Sequence, residues 1–170
     1  MNSTLKKVLV VAVLGAAVLA PATARAQSAQ IGARASVQQA LTISAVDSLL
    51  LGAVFPNTTR AVLPSDAASG SFSLAGAANA EVTLTFTLPA NLTSGANNLP
   101  ISFGGAAGGY NVANSRAGLT TFNPASVQTT RLNNATGNLY VFIGASVSPV
   151  AQPAGTYTGA ITLATAYTGN

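Results

Sequence analysis

From Gln27 onward the apolar positions recur every second residue, which is the spacing of strands rather than helices. Over residues 81–88, Val82, Leu84, Phe86 and Leu88 alternate with Thr83, Thr85 and Thr87. This predicts a half-buried strand with a threonine outer face. The end of the chain repeats the pattern, with Tyr157, Ile161, Leu163 and Tyr167 on one parity and Thr156, Thr158 and Thr162 on the other, so a long closing strand is expected. Residues 138–146 are apolar on both parities, as a central strand covered on both faces would be. Shorter strands are expected at 49–54, 71–74, 99–103 and 126–131. Residues 41–51 fit a single helical turn as well as a strand.

Turn chemistry separates these runs: Pro56-Asn57, Pro64-Ser65-Asp66, Pro89-Ala90-Asn91, Ser94-Gly95, Asn97-Asn98, Asn123-Pro124, Asn133-Asn134 and the stretch 149–155. Short strands at such spacing, with no convincing helical period, predict an all-β antiparallel sandwich. Neither a second domain nor an internal repeat is visible, so residues 27–170 are read as one domain.

Its first segment is unusually long for a strand. Ala29, Ile31, Ala33, Ala35, Val37, Leu41 and Ile43 share one parity, broken by Gln39, while Gln30, Gly32, Arg34, Ser36, Gln38 and Thr42 hold the other. About 15 extended residues reach roughly 50 Å, well beyond an ordinary strand. Either the segment pairs within its own domain, or residues 27–40 leave it and complete the sheet of a neighbour.

Ahead of this segment, Lys6-Lys7, the apolar run 8–20, Pro21 and Ala24-Arg25-Ala26 have the order of an export signal with its cleavage site. Residues 1–26 are therefore expected to be a signal peptide, the apolar run being too short to span a bilayer. The mature chain is then exported through the periplasm to the cell surface or medium, with no transmembrane segment.

Composition narrows the chemistry. The 170 residues are 49% hydrophobic and 6% charged, without cysteine, histidine or tryptophan. Imidazole bases, thiolate nucleophiles, the usual zinc ligands and disulfides are all excluded. The net charge of +4 suggests nucleic acid, but Lys6, Lys7 and Arg25 lie in the expected signal. The remainder sets Arg34, Arg60, Arg116 and Arg131 against Asp47, Asp66 and Glu81, leaving no basic patch, and no nucleic-acid partner is expected.

Residues 104–109, Gly-Gly-Ala-Ala-Gly-Gly, lack the lysine of a phosphate loop and read as a flexible loop tip. Asp66 follows a turn proline and Glu81 opens a strand, positions that capping and solvation explain. No catalytic residue, metal site or cofactor is expected, and the chain is read as non-enzymatic. Asn57, Asn91 and Asn134 match the glycosylation acceptor pattern in expected loops, with no function assigned. A membrane β-barrel lacks its aromatic girdles here.

Three pieces coincide: the alternating leader, Leu49-Leu50-Leu51-Gly52-Ala53-Val54, and residues 154–163 around Gly155-Thr156-Tyr157-Thr158-Gly159. With Gly70-Ser71-Phe72-Ser73-Leu74-Ala75-Gly76 they resemble a bacterial family numbered 4402 among domains of unknown function, and more loosely the spore coat protein U and archaic chaperone-usher pilin group. Gly52, Gly70, Phe72, Gly76, Gly155, Tyr157 and Gly159 carry the likeness, although Leu51 stands where the family has an aromatic residue. The resemblance implies an immunoglobulin-like, pilin-like sandwich that polymerises when an N-terminal extension fills a missing-strand groove in the next subunit. Ala29, Ile31, Ala33, Ala35 and Val37 would be the donor residues, and a periplasmic chaperone and outer-membrane usher the partners. The expected function is thus a fimbrial structural subunit of a surface fibre or coat. The alternative is a monomeric secreted adhesin or glycan-binding module, weakened by the lack of tryptophan for stacking on sugars.

Overall fold

The computed structural model describes residues 27–35, 37 and 39–169. The expected signal peptide, 1–26, lies outside the described residues. One unit of the chain ends at Ser36 and a second begins at Val37. Within the first, residues 27–35 are exposed and belong to no strand.

The second unit is all-β, with no helix among the described residues. Its strands are β1 (Thr42–Asp47), β2 (Arg60–Val62), β3 (Gly70–Ala75), β4 (Glu81–Thr87), β5 (Asn91–Ser94), β6 (Asn97–Ser102), β7 (Gly108–Asn111), β8 (Thr120–Phe122), β9 (Gln128–Arg131), β10 (Asn138–Ile143), β11 (Ala145–Val147) and β12 (Thr162–Tyr167). They form a five-stranded sheet β1-β3-β10-β7-β8, a four-stranded sheet β2-β11-β6-β5 and a three-stranded sheet β12-β4-β9. Every pairing between strands is antiparallel.

The alternation seen in the sequence sets the layers. Val82 and Leu84 of β4 and Leu163 of β12 point one way and meet Leu74 of β3 and Leu139 and Val141 of β10 in a buried cluster closed by Phe122 and Leu132. Phe72 and Phe86 touch edge to face across this layer, with ring centroids 6.1 Å apart. The five- and three-stranded sheets thus pack face to face as in a β-sandwich, while Thr85, Thr87 and Thr162 stay exposed on the outer face.

Residues 138–147 are the covered central strand, divided at Gly144. β10 pairs in the five-stranded sheet and β11 in the four-stranded one, so the chain bends between sheets at a residue without a side chain. A second apolar cluster lies on the β11 side, where Leu99, Ile101, Ala145 and Val147 pack with Leu49, Leu51, Val54, Leu92, Phe103 and Tyr157.

Several expectations are corrected. Residues 49–54 form no strand: the Leu50 N–H donates to the Ala68 carbonyl at 2.9 Å, and Gly52 takes a positive φ of 70°, which breaks an extended run. Residues 41–51 contain strand β1 and no helical turn. Among the described residues the leader pairs within its own chain only from Thr42 onward, because β3 offers a ladder no further than Ala75, opposite Thr42. The closing strand begins at Thr162, and before it only Thr158 bridges, to Thr93 of β5. Gly108 and Gly109 belong to buried strand β7, since the Phe122 ring lies where a Cβ on Gly108 would sit. Asn91 opens β5 and is not in a loop.

A candidate groove and its edges

The second apolar cluster is open on one side, leaving a groove of about 970 Å³. Leu99 and Ile101 of β6, Val147 of β11, Ile143 of β10 and Phe72 of β3 line it from the sheets. Residues 48–56 form one wall, with the consecutive leucines 49–51, and residues 152–159 form another with Tyr157. The Tyr157 hydroxyl donates to the Pro153 carbonyl at 2.8 Å, which ties the ring to its own loop.

Six of the seven motif residues named from the sequence line this groove: Gly52, Gly70, Phe72, Gly155, Tyr157 and Gly159. Close approach accounts for Gly70, Gly155 and Gly159, whereas Gly52 has open space around it and is set by its positive φ of 70°. A Cβ on Gly159 would lie 2.8 Å from Leu92 Cδ2, and one on Gly155 would lie 2.9 Å from Ser94 Oγ, so either would make a side chain of β5 shift. A Cβ on Gly70 would crowd Leu49 and Ile143. Gly76 lies apart from the groove, and a Cβ there would meet the Tyr167 hydroxyl.

The edge strand β1 borders the opening, and Ile161, just before β12, is the nearest that strand comes to it. Among the described residues β1 pairs only with β3, and β12 only with β4. All six residues of β1 are exposed although Ala45 and Asp47 face the groove, which in a two-layer fold means that the opposite sheet does not extend across from it. β12 carries a related defect: Thr165, on the parity of buried Leu163, has a buried hydroxyl with no hydrogen-bond partner.

One polar cluster secures the β1 edge. The Ser71 hydroxyl donates to Asp47 Oδ2 at 2.7 Å, and Arg116 Nη2 does so at 2.9 Å. Arg116 also donates from Nε to Ser69 Oγ at 3.1 Å and lies 5.0 Å over the Phe142 ring. The Ser71 hydrogen bond first, and Arg116 second, hold the Asp47 carboxyl below its ordinary value of 3.8. A carboxylate depressed on folding stabilises the fold above the unfolded pKa, and that contribution is lost as pH falls through the folded one. Asp47→Asn is therefore expected to lower the thermal midpoint modestly at pH 7, and the gap to wild type to narrow below about pH 4. Half the Asp47 side chain is exposed, so the effect is small. A gap that widens in acid would contradict the assignment.

The three carboxylates are not brought together. Asp66 Oδ2 accepts from the Leu63 N–H at 2.8 Å in a turn, and Glu81 pairs with Arg131 at 3.3 Å and accepts from the Thr168 hydroxyl at 2.9 Å. Of the donor residues, Ala29, Ile31, Ala33 and Ala35 are exposed in the first unit, and Val37 is 99% exposed at the start of the second. None is in a strand. Sequence reasoning missed Leu99 and Ile101 as groove residues, since they read as an ordinary core strand. It also missed Tyr167 as a polar contact. Asn57 and Asn134 lie in turns.

No known protein-family profile matches this chain, and no curated protein is found to be similar to it.

Proposed function

We propose that the chain is an exported, non-enzymatic structural subunit of a bacterial surface fibre or coat, assembled when the N-terminal segment of one copy fills the groove of the next. The observation that carries this reading is the groove itself: apolar, open, and bordered by the single-sided edge strand β1. The strand order supports it. In an immunoglobulin-like sandwich the first sheet runs A-B-E-D and the second G-F-C. β1-β3-β10-β7 fits the first order and β12-β4 fits F-C.

A strand added there finds backbone partners along an open edge and an apolar trough for alternate side chains. Residues 29–37 have the matching alternation, and Ile31 is 94% exposed. Because donor and acceptor are different surfaces of one chain, donation is head to tail and gives an open filament. A chaperone and usher are the partners such a subunit would need before its groove is filled.

The test is to express the chain with export intact and to compare boiled and unboiled samples on SDS gels, with negative-stain microscopy. A ladder that collapses on boiling, together with thin filaments, is the expected result. A stable monomer under all conditions would overturn it and favour the secreted binding module. Phe55, 70% exposed on the groove wall, would then be the first residue to test against glycans.

A further inference from the structure

No lysine follows Lys7 and the chain has no histidine, so in residues 27–170 basic side chains are four arginines alone. They differ in availability. Arg60 and Arg131 lie in β2 and β9, paired with Val147 and Glu81 in their ladders, and Arg131 also donates to the Asn79 carbonyl at 3.1 Å. The Arg116 guanidinium is occupied by Asp47 and Ser69. Of the four, Arg34 alone is exposed and outside any strand. Nothing lies within 4 Å of a Cβ built on Gly32, two residues before it.

A serine protease specific for arginine takes that side chain into a pocket with an acidic residue at its base. The peptide around it must be free to extend, so a site held in a ladder is cut only when the ladder opens. Cutting the Arg34–Ala35 bond removes Ala29, Ile31 and Ala33, three of the five donor residues. The second unit keeps its first contacts, since the Tyr167 hydroxyl donates to the Gln39 carbonyl at 2.8 Å and Leu41 packs against the core cluster.

We propose that the Arg34–Ala35 bond is a processing site, at which an endoprotease with an acidic specificity pocket turns a subunit into one that accepts a strand but donates none. Hydrolysis adds one water across the amide, leaving a carboxylate on Arg34 and an amine on Ala35. This rests on the strand-donation reading and adds to it the regulation of the donor. A donated segment has its backbone in the neighbour's ladder and withholds the bond, so cutting acts on undonated segments and limits filament length.

Trypsin is the probe, applied to the monomer and filament fractions of the exported chain. In the monomer the first product is expected to begin at Ala35, about a hundredfold ahead of cuts after Arg60, Arg116 or Arg131, and to hold its thermal midpoint. Arg34→Gln removes that early cut. Filaments are expected to yield the same product about tenfold more slowly, and the product, added to intact chains, to shorten their filaments. N-terminal sequencing of filaments from the cells that make the chain is expected to find a minor start at Ala35. A first cut elsewhere, equal rates in the two fractions or no such start overturns the processing site, while a heat-sensitive ladder leaves the fibre reading standing. A cut chain that extends filaments as the intact one does, or an intact chain that forms none, overturns both.

Discussion

Gly144→Ala is expected to lower the thermal midpoint by about 10 °C, from a loss of about 3 kcal/mol. The Gly144 N–H donates to the Ala107 carbonyl at 2.8 Å at the bend between β10 and β11, and a Cβ there would meet the carbonyl oxygen of Val62. The obstacle is the backbone of β2, held by its ladder to β11, and cannot swing aside as a side-chain tip would. Relief requires β2 to separate or the bend to open, and each uncouples the two sheets that the long strand joins. Gly104→Ala is the control, since nothing lies within 4 Å of a Cβ there and the midpoint should hold. Equal midpoints for the two variants, measured by circular dichroism, would show that the bend does not depend on glycine.

Ile31→Asp is expected to abolish assembly, reducing the heat-sensitive ladder more than a hundredfold. Seating Ile31 in an apolar trough gains about 2 kcal/mol, and a carboxylate there loses that gain and adds the cost of desolvation without a partner. Ile31 is exposed in its own unit, so the substitution leaves the fold intact. Arg34→Asp, on the opposite parity, changes charge without entering the groove and should assemble normally. A mixture offers a sharper readout: Ile31→Asp chains accept a wild-type segment but donate none, so they should shorten wild-type filaments as their fraction rises. Filaments of ordinary length from Ile31→Asp alone would end the strand-donation reading.

Much of the sandwich is legible in the sequence because its strands are half-buried. The Val82-Leu84-Phe86 alternation and the two-faced run from Leu139 to Ile143 each reflect the local balance of water and core, and β4 and β10 fall where that balance places them. What failed was pattern produced by something other than a ladder. Leu49, Leu50 and Leu51 have the hydrophobicity of a strand, but it serves a groove wall, where backbone pairing is not required. Gly108 and Gly109 look like loop residues, since a residue without a side chain cannot report that an aromatic ring covers it.

The groove was legible through its glycines and through Phe72 and Tyr157. Gly155 and Gly159 stood out as a motif, and their reason, close contact with β5, depends on the fold. Tyr167 gave no signal beyond its parity, because its polar role depends on Gln39, 128 positions away in the chain. The leader is the opposite case: its alternation was plain, yet the strand it predicts has no ladder to pair with before Thr42.

The pairing of β1 with β3 also sets how the molecule meets mechanical load. A load that pulls the start of β1 along the strand axis meets the β1–β3 ladder. The hydrogen bonds from Thr42↔Ala75 to Asp47↔Ser71 lie across that axis, so they are loaded together in shear and not opened one at a time as in a zipper. At the far end, the Ser71 and Arg116 contacts to Asp47 add a side-chain anchor where the ladder is disturbed by the register shift between Ala45 and Asp47. Under such a load the β1–β3 ladder would yield by sliding as a whole, at a rate set by the unfolding barrier.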